Sequence, residues 1–131
     1  MFINLTPHQI TFFRENQFVN LEQTNPSTYV ADSVEGDPVM VVPSTGVARV
    51  SSETVDAPPI DGIPCSRTVF GDIVGIPDNI GQDDILIVSL PTKAAAQAKG
   101  HPLAEQMVSP HRVVRSRSNG SLVLGAMGVA L

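Results

Sequence analysis

The sequence predicts a mainly β protein of the α+β type. The expected architecture is a compact antiparallel sheet or small barrel with one short alanine-rich helix and a C-terminal hairpin. Three observations carry this. Only 16% of the 131 residues are charged and 42% are hydrophobic, with ten glycines and eleven prolines as punctuation. Such a turn-rich composition does not suit a coiled coil, a long-helix bundle or a charged disordered tail. The apolar residues fall in short β-branched runs, and a single alanine-rich run has the composition of a helix. At this length the chain makes one domain, residues 1–131.

Along the chain, Asn4 to Ile10 forms a turn or short strand around Pro7, which fixes its own φ and has no amide donor. Ile10-Thr11-Phe12-Phe13 is a β-rich run, with Gln17-Phe18-Val19 as its return strand across Arg14-Glu15-Asn16. Residues 22–38 are polar and broken by Asn25-Pro26 and Gly36-Asp37-Pro38, giving a loop or a short strand near Tyr29-Val30. Val39–Val42 is a buried strand stopped by Pro43, and Val47–Val50 resumes as a strand containing Arg49. Val55–Pro64 is a loop or hairpin tip, and Ser66–Val74 alternates as a strand should.

Ile85–Leu90 is apolar apart from Ser89 and predicts a central strand covered on both faces. Pro91 to Lys99 predicts the helix: proline suits its first turn and Gly100 the left-handed position past its end. A second short helix is expected near Leu103–Met107. Arg112–Ser118 and Ser121–Leu124 flank Asn119-Gly120, the favoured type I′ pair, and so predict a hairpin. Gly125 and Gly128 then mark a bulge or a tight strand crossing.

No apolar run approaches the ~20 residues of a membrane-spanning helix. Met1-Phe2-Ile3-Asn4 has no basic segment of the secretory type. The lone Cys65 cannot form an internal disulfide, which favours a reducing compartment. The net charge of −5 argues against general nucleic-acid binding, but its distribution is uneven. Residues 1–84 carry twelve acids and three bases, whereas residues 85–131 carry one acid and five bases. That split means either internal charge matching or a local anion site.

Five constellations have chemical potential. The junction Ser89-Leu90-Pro91-Thr92-Lys93 offers a helix start, two hydroxyls and a cation for a phosphate, or simple capping by Ser89 or Thr92. Arg115 and Arg117 share one side of an extended strand and can clamp a diphosphate or carboxylate, or merely charge an edge strand. His8 follows a rigid proline turn, where it can meet a base ring or satisfy itself on a backbone carbonyl. Arg49, inside an apolar strand, needs an acid or an anionic ligand. Asp72, Asp78, Asp83 and Asp84 are a metal patch or turn aspartates. No zinc spacing and no Gly-x-Ser-x-Gly elbow is present, so neither metal, cofactor nor catalytic residue is expected.

Several islands together resemble a family of small, largely uncharacterised proteins of bacteriophages, prophages and bacteria. They are the opening Asn4-Leu5-Thr6-Pro7-His8, the strand Pro43 to Val50 and the run Phe70 to Pro77. Ile87-Val88-Ser89 leading into the alanine-rich helix follows, then Pro110, Arg115 and Asn119-Gly120. Phe70 and Ser109-Pro110-His111 stand where the family pattern has tyrosine and Pro-Gly. The resemblance implies a phage or prophage source. With the absent catalytic signature and the positive second part of the chain, it leads to one expectation. The chain is a phage-encoded, non-enzymatic binding protein of the host cytoplasm that sequesters a small anionic, nucleotide-derived defence signal. Arg49, Ser89, Thr92, Lys93, Arg115 and Arg117 are its expected phosphate contacts, and His8 lies near the base. The alternatives are a virion or capsid decoration protein and, further off, a small hydrolase. The apolar ends, Met1-Phe2-Ile3 and Met127–Leu131, point to a homo-oligomer.

Overall fold

The computed structural model describes residues 1–131. In chain order the strands are β1 (Phe2–Asn4), β2 (Ile10–Phe12), β3 (Phe18–Val19), β4 (Glu22–Asn25), β5 (Thr28–Ala31), β6 (Ser33–Val34) and β7 (Met40–Val42). They continue with β8 (Arg49–Ile60), β9 (Ile63–Val74), β10 (Ile85–Ile87), β11 (Met107–Ser116) and β12 (Val123–Ala130). Helix α1 spans Leu90–Lys99 between β10 and β11, and two 3-10 turns cover Glu15–Gln17 and Ala104–Gln106. Strands hold 51% of the chain and helices 12%, so the mainly β expectation with one helix is met.

The strand order β1-β10-β11-β12-β2-β7 makes a nearly closed barrel. The sheet is mixed: β1/β10, β10/β11 and β12/β2 are parallel, β11/β12 and β2/β7 antiparallel. Helix α1 supplies the crossover that the parallel β10 and β11 require. The strand expected over Ile85–Leu90 ends at Ile87, because Ser89 already caps the helix and Leu90 opens it. It is nonetheless central and doubly covered, with Leu86, Ile87 and Val88 all inaccessible. Leu86 and Val88 face α1 and pack with Leu5, Ala48, Ala96 and Met107. Ile87 faces the barrel interior with Val42 and Val108, against Phe2, Ile10 and Phe12. Burying each of these aliphatic side chains contributes roughly 1.5–3 kcal/mol. A third cluster of Phe18, Ala31 and Val114 fills the far end, where β5 joins β11.

The Asn4 side chain stands at the point where the barrel closes. β1 and β7 share no regular ladder; they meet in a single parallel bridge between Asn4 and Ser44. Asn4 is fully buried, and its Nδ2 donates to the Val42 and His8 carbonyls at 3.0 and 2.9 Å. Its Oδ1 accepts from the Thr6 amide at 3.0 Å and the Thr6 hydroxyl at 2.6 Å. The Thr45 amide donates to the Asn4 carbonyl at 3.0 Å. The most distinctive residues of the opening pentapeptide therefore serve closure.

Several local pairings differ from the sequence reading. β2 does not pair with the segment after it; β3 pairs with β6 instead, and residues 22–31 form a hairpin, β4/β5. The second short helix is only the 3-10 turn at Ala104–Gln106. The C-terminal hairpin is present but longer than expected, and Asn119-Gly120 is not a type I′ turn. That turn needs positive φ at both residues, and neither has it. Asn119 instead bonds forward to the Ser121 amide, and Ser116 and Leu122 close a wider loop. Beside Gly125 the β11/β12 register shifts between Val114 and Arg115, the bulge expected there, and a Cβ at Gly125 would run into the Phe13 ring, whereas one at Gly128 would meet nothing.

The type I′ geometry occurs at Asp61-Gly62, with φ of 50° and 78° between paired Ile60 and Ile63. It turns β8 into β9, two strands of twelve residues each that pair only with one another. The root of this ribbon packs on the core through Ala48, Ile73 and Ile76. Twelve residues at about 3.3 Å each extend its tip ~35–40 Å from that root. Pro58 and Pro59 are tolerated because each strand has a free outer edge. No helix is long and apolar enough to cross a membrane.

Candidate functional site

The Asn4–His8 turn, locked as described, presents Thr6 and His8 at one end of the barrel. The Ser44 hydroxyl adds a 2.6 Å bond to the Thr6 carbonyl, fixing the turn from the β7 side. Next to it lies a cavity of about 560 Å³. Its polar wall is Thr6, His8, Gln9, Thr11 and Ser89; its apolar wall is Ile10, Val113, Val123, Leu124 and their neighbours on β11 and β12. A second cavity of about 310 Å³ shares Thr6 and Ser89 and adds Arg49, Thr92 and Pro7. The volumes are those of small-molecule sites, apolar in bulk with a few placed polar groups.

Four of the seven residues expected at a site are thus brought together: His8 and Ser89 around the first cavity, Arg49 and Thr92 with Ser89 around the second. Arg49 is exposed and lacks any carboxylate partner. It is the sole cation lining either cavity. Its expected burial in an apolar strand is corrected: β8 leaves the body at this residue, and the guanidinium stays in water.

The other three are elsewhere. Lys93 is buried, and its Nζ donates to the Ala130 carbonyl at 3.0 Å, tying α1 to the C-terminal strand. Arg115 lies exposed and bonds the Gly120 carbonyl at 3.2 Å. Arg117 is neutralised: it pairs with Asp32 and with Glu22, and donates to the Asn20 carbonyl at 2.8 Å. The clamp expected of Arg115 and Arg117 does not form, because β11 ends at Ser116 and the next residue leaves the strand. The helix start is likewise used for capping. Ser89 Oγ accepts from the Thr92 amide and contacts its hydroxyl at 2.9 Å, and Pro91 has no amide to offer. The four aspartates do not converge; Asp72 pairs with Lys99, and Asp84 caps the Gly81 amide.

Thr6, Gln9 and Thr11 are site residues that the sequence reading missed. The one available signal for them was proximity to His8 in a fixed turn.

The Arg117 cluster has a pH consequence. The Asn20 amide, at 2.7 Å, and then the Arg117 guanidinium hold the Asp32 carboxyl below its ordinary value of 3.8, against a weak opposing effect of burial. A carboxyl with a lowered folded pKa stabilises the fold above its unfolded pKa. That contribution is lost as pH falls through the lower folded value. Asp32→Asn should therefore flatten the acid-side fall of the unfolding midpoint below about pH 4. Equal slopes for the two proteins in acid urea titrations would remove the pairing as a cause.

No family model, curated protein or solved structure matches the chain.

Proposed function

We propose that this chain is a non-enzymatic binding protein that captures a small anionic, nucleotide-like molecule. The single observation behind this is the pair of cavities joined at Thr6 and Ser89, one mostly apolar and the other carrying Arg49. A ring fits the first and an anionic group the second. With one guanidinium present in place of the four cations first expected, the reading narrows to a ligand anchored by one phosphate or carboxylate. The resemblance to phage proteins supports a role in the host cytoplasm, where capture of a defence signal needs no chemistry. The protein would work as a homo-oligomer.

A second reading, a virion or assembly component, is favoured by a different observation: the β8/β9 ribbon that leaves the body with no intrachain cover. Mass spectrometry of purified particles separates the two readings, since a virion component appears at fixed copy number.

Titration calorimetry with cyclic dinucleotides and ADP-ribose derivatives tests the capture reading. The expected result is binding of at least one of them, weakened about tenfold or more by Arg49→Ala, the usual cost of removing a charged hydrogen-bond donor. Absence of heat with every ligand, on folded protein, rejects it. Recovery of the bound molecule intact after incubation distinguishes capture from hydrolysis.

A further inference from the structure

We infer that one face of the β8/β9 ribbon is a self-association surface that packs against the same face of a second copy. This rests on the homo-oligomer part of the reading above and not on the ligand.

The strand register assigns the two faces. Glu53 lies opposite Val69, Val55 opposite Arg67, and Ala57 opposite Cys65, so these six residues share one face. Thr54 opposite Thr68 and Asp56 opposite Ser66 occupy the other, with Ser52 opposite Phe70 nearer the root. The first face is therefore apolar at its centre, with Val55, Ala57, Cys65 and Val69, while the second carries hydroxyls and a carboxylate at its centre and the half-buried Phe70 toward the root. Alternation of this kind is what a sheet acquires when one face is covered and one is wet. Nothing within the chain covers it: β8 and β9 pair only with each other, and Val69 is 46% exposed. A two-stranded ribbon alone in water is marginal, and three strands or a packed face are usually needed for stability.

The barrel of the same molecule is not the cover. The ribbon's reach exceeds the ~13 Å radius of gyration of a hundred-residue body, so its outer half stands clear of its own barrel. The tip residues Ile60 and Ile63 are 67% and 65% exposed.

Charge identifies the occupant as a second copy. The apolar face carries one acid and one base, Glu53 and Arg67, and neither has an ion-pair partner in its own chain. They sit two residues apart along the ribbon on adjacent strands. When two such faces stack about a two-fold axis, Glu53 of one copy can fall beside Arg67 of the other, within one strand spacing. The favourable arrangement is an axis across the strands, midway between the two residues; an axis along the strands would bring Glu53 nearer to Glu53 of the other copy than to Arg67. Each pair of faces then forms two intermolecular ion pairs around an apolar centre. A partner of one sign of charge would leave either Glu53 or Arg67 opposed by its own kind.

Sedimentation velocity of the full chain over a concentration series tests the assignment. The protein should sediment as a dimer or a larger even assembly. Glu53→Arg alone and Arg67→Glu alone should each weaken association about tenfold or more, in keeping with like-charge repulsion across an interface. The double exchange Glu53→Arg with Arg67→Glu should restore it. Thr54→Arg, on the opposite face, should leave association unchanged. Because all of these side chains are exposed, circular dichroism should be the same throughout. A monomeric wild type, a double exchange no better than the single ones, or an equal effect of Thr54→Arg would overturn the proposal. A dimer that binds no nucleotide would instead count against the capture reading alone.

Discussion

Asn4→Ala should lower the unfolding free energy by about 3–5 kcal/mol, a large part of the 5–15 kcal/mol typical of a domain. The Asn4 side chain makes four hydrogen bonds at a buried position, two as donor and two as acceptor. A typical bond contributes about 1 kcal/mol net, and each buried group left without a partner costs about 1–3 kcal/mol. The Val42 carbonyl, on the β7 side of the closure, is the group most damaged. Asn4→Asp keeps both acceptor bonds but turns a carboxylate toward the Val42 and His8 carbonyls, so it should be at least as harmful at neutral pH. Thr6→Val should be milder, near 1 kcal/mol, because Asn4 retains the Thr6 amide. Urea denaturation of the three variants would give this ranking. An Asn4→Ala protein within 1 kcal/mol of wild type would mean that the barrel closes without its side chain.

Gly75→Ala should be the second severe change, costing more than about 3 kcal/mol or displacing the root of the ribbon. Gly75 has φ of 90°, and a Cβ there would overlap the Val47 carbonyl oxygen and lie 3.0 Å from its carbon. The obstacle is backbone, which cannot rotate aside, at the place where the chain returning along β9 passes the chain entering β8. Gly62→Ala is the natural control. Its φ of 78° imposes similar conformational strain, but no atom lies within 4 Å of the added carbon. It should cost about 1 kcal/mol, and the difference between the two variants measures the overlap. Equal midpoints for both in thermal melts would show that the root of the ribbon relaxes freely.

What the sequence made legible was mostly local. The apolar run at Ile85–Val88, the proline and alanines of α1 and the left-handed Gly100 all act within a few residues, and the structure uses each as expected. The misreadings involve long sequence separations. Asn4 reaches Val42, Lys93 reaches Ala130 and Arg117 reaches Asp32, across 38, 37 and 85 positions. No local pattern announces such partners, so two of the expected anion contacts, Lys93 and Arg117, were residues already committed elsewhere, while Arg115 turns to the nearby Gly120 carbonyl. The two candidate turns show the same contest. Asp61-Gly62 is a type I′ signal obscured by prolines on either side, whereas Asn119-Gly120 has that signal but lies where the chain must widen to let Arg117 reach the acids of β4 and its neighbours. Within the candidate site, His8, Ser89 and Thr92 were legible because each marks a turn or an element boundary, and Arg49 because a cation within an apolar run stands out. The apolar wall on β11 and β12 depends on barrel curvature, which no short segment encodes.

The β8/β9 ribbon also has a modular property. Because it hydrogen-bonds to nothing but itself, its span is decoupled from the barrel that carries it. Adding or removing residues in matched pairs, one cross-strand couple at a time, would shift the tip outward or inward by measured increments. Two such couples would preserve which side each residue faces; a single couple would invert everything beyond the cut. The protein thus holds an adjustable spacer whose length can drift while its anchor, and the cavities beside that anchor, stay as they are.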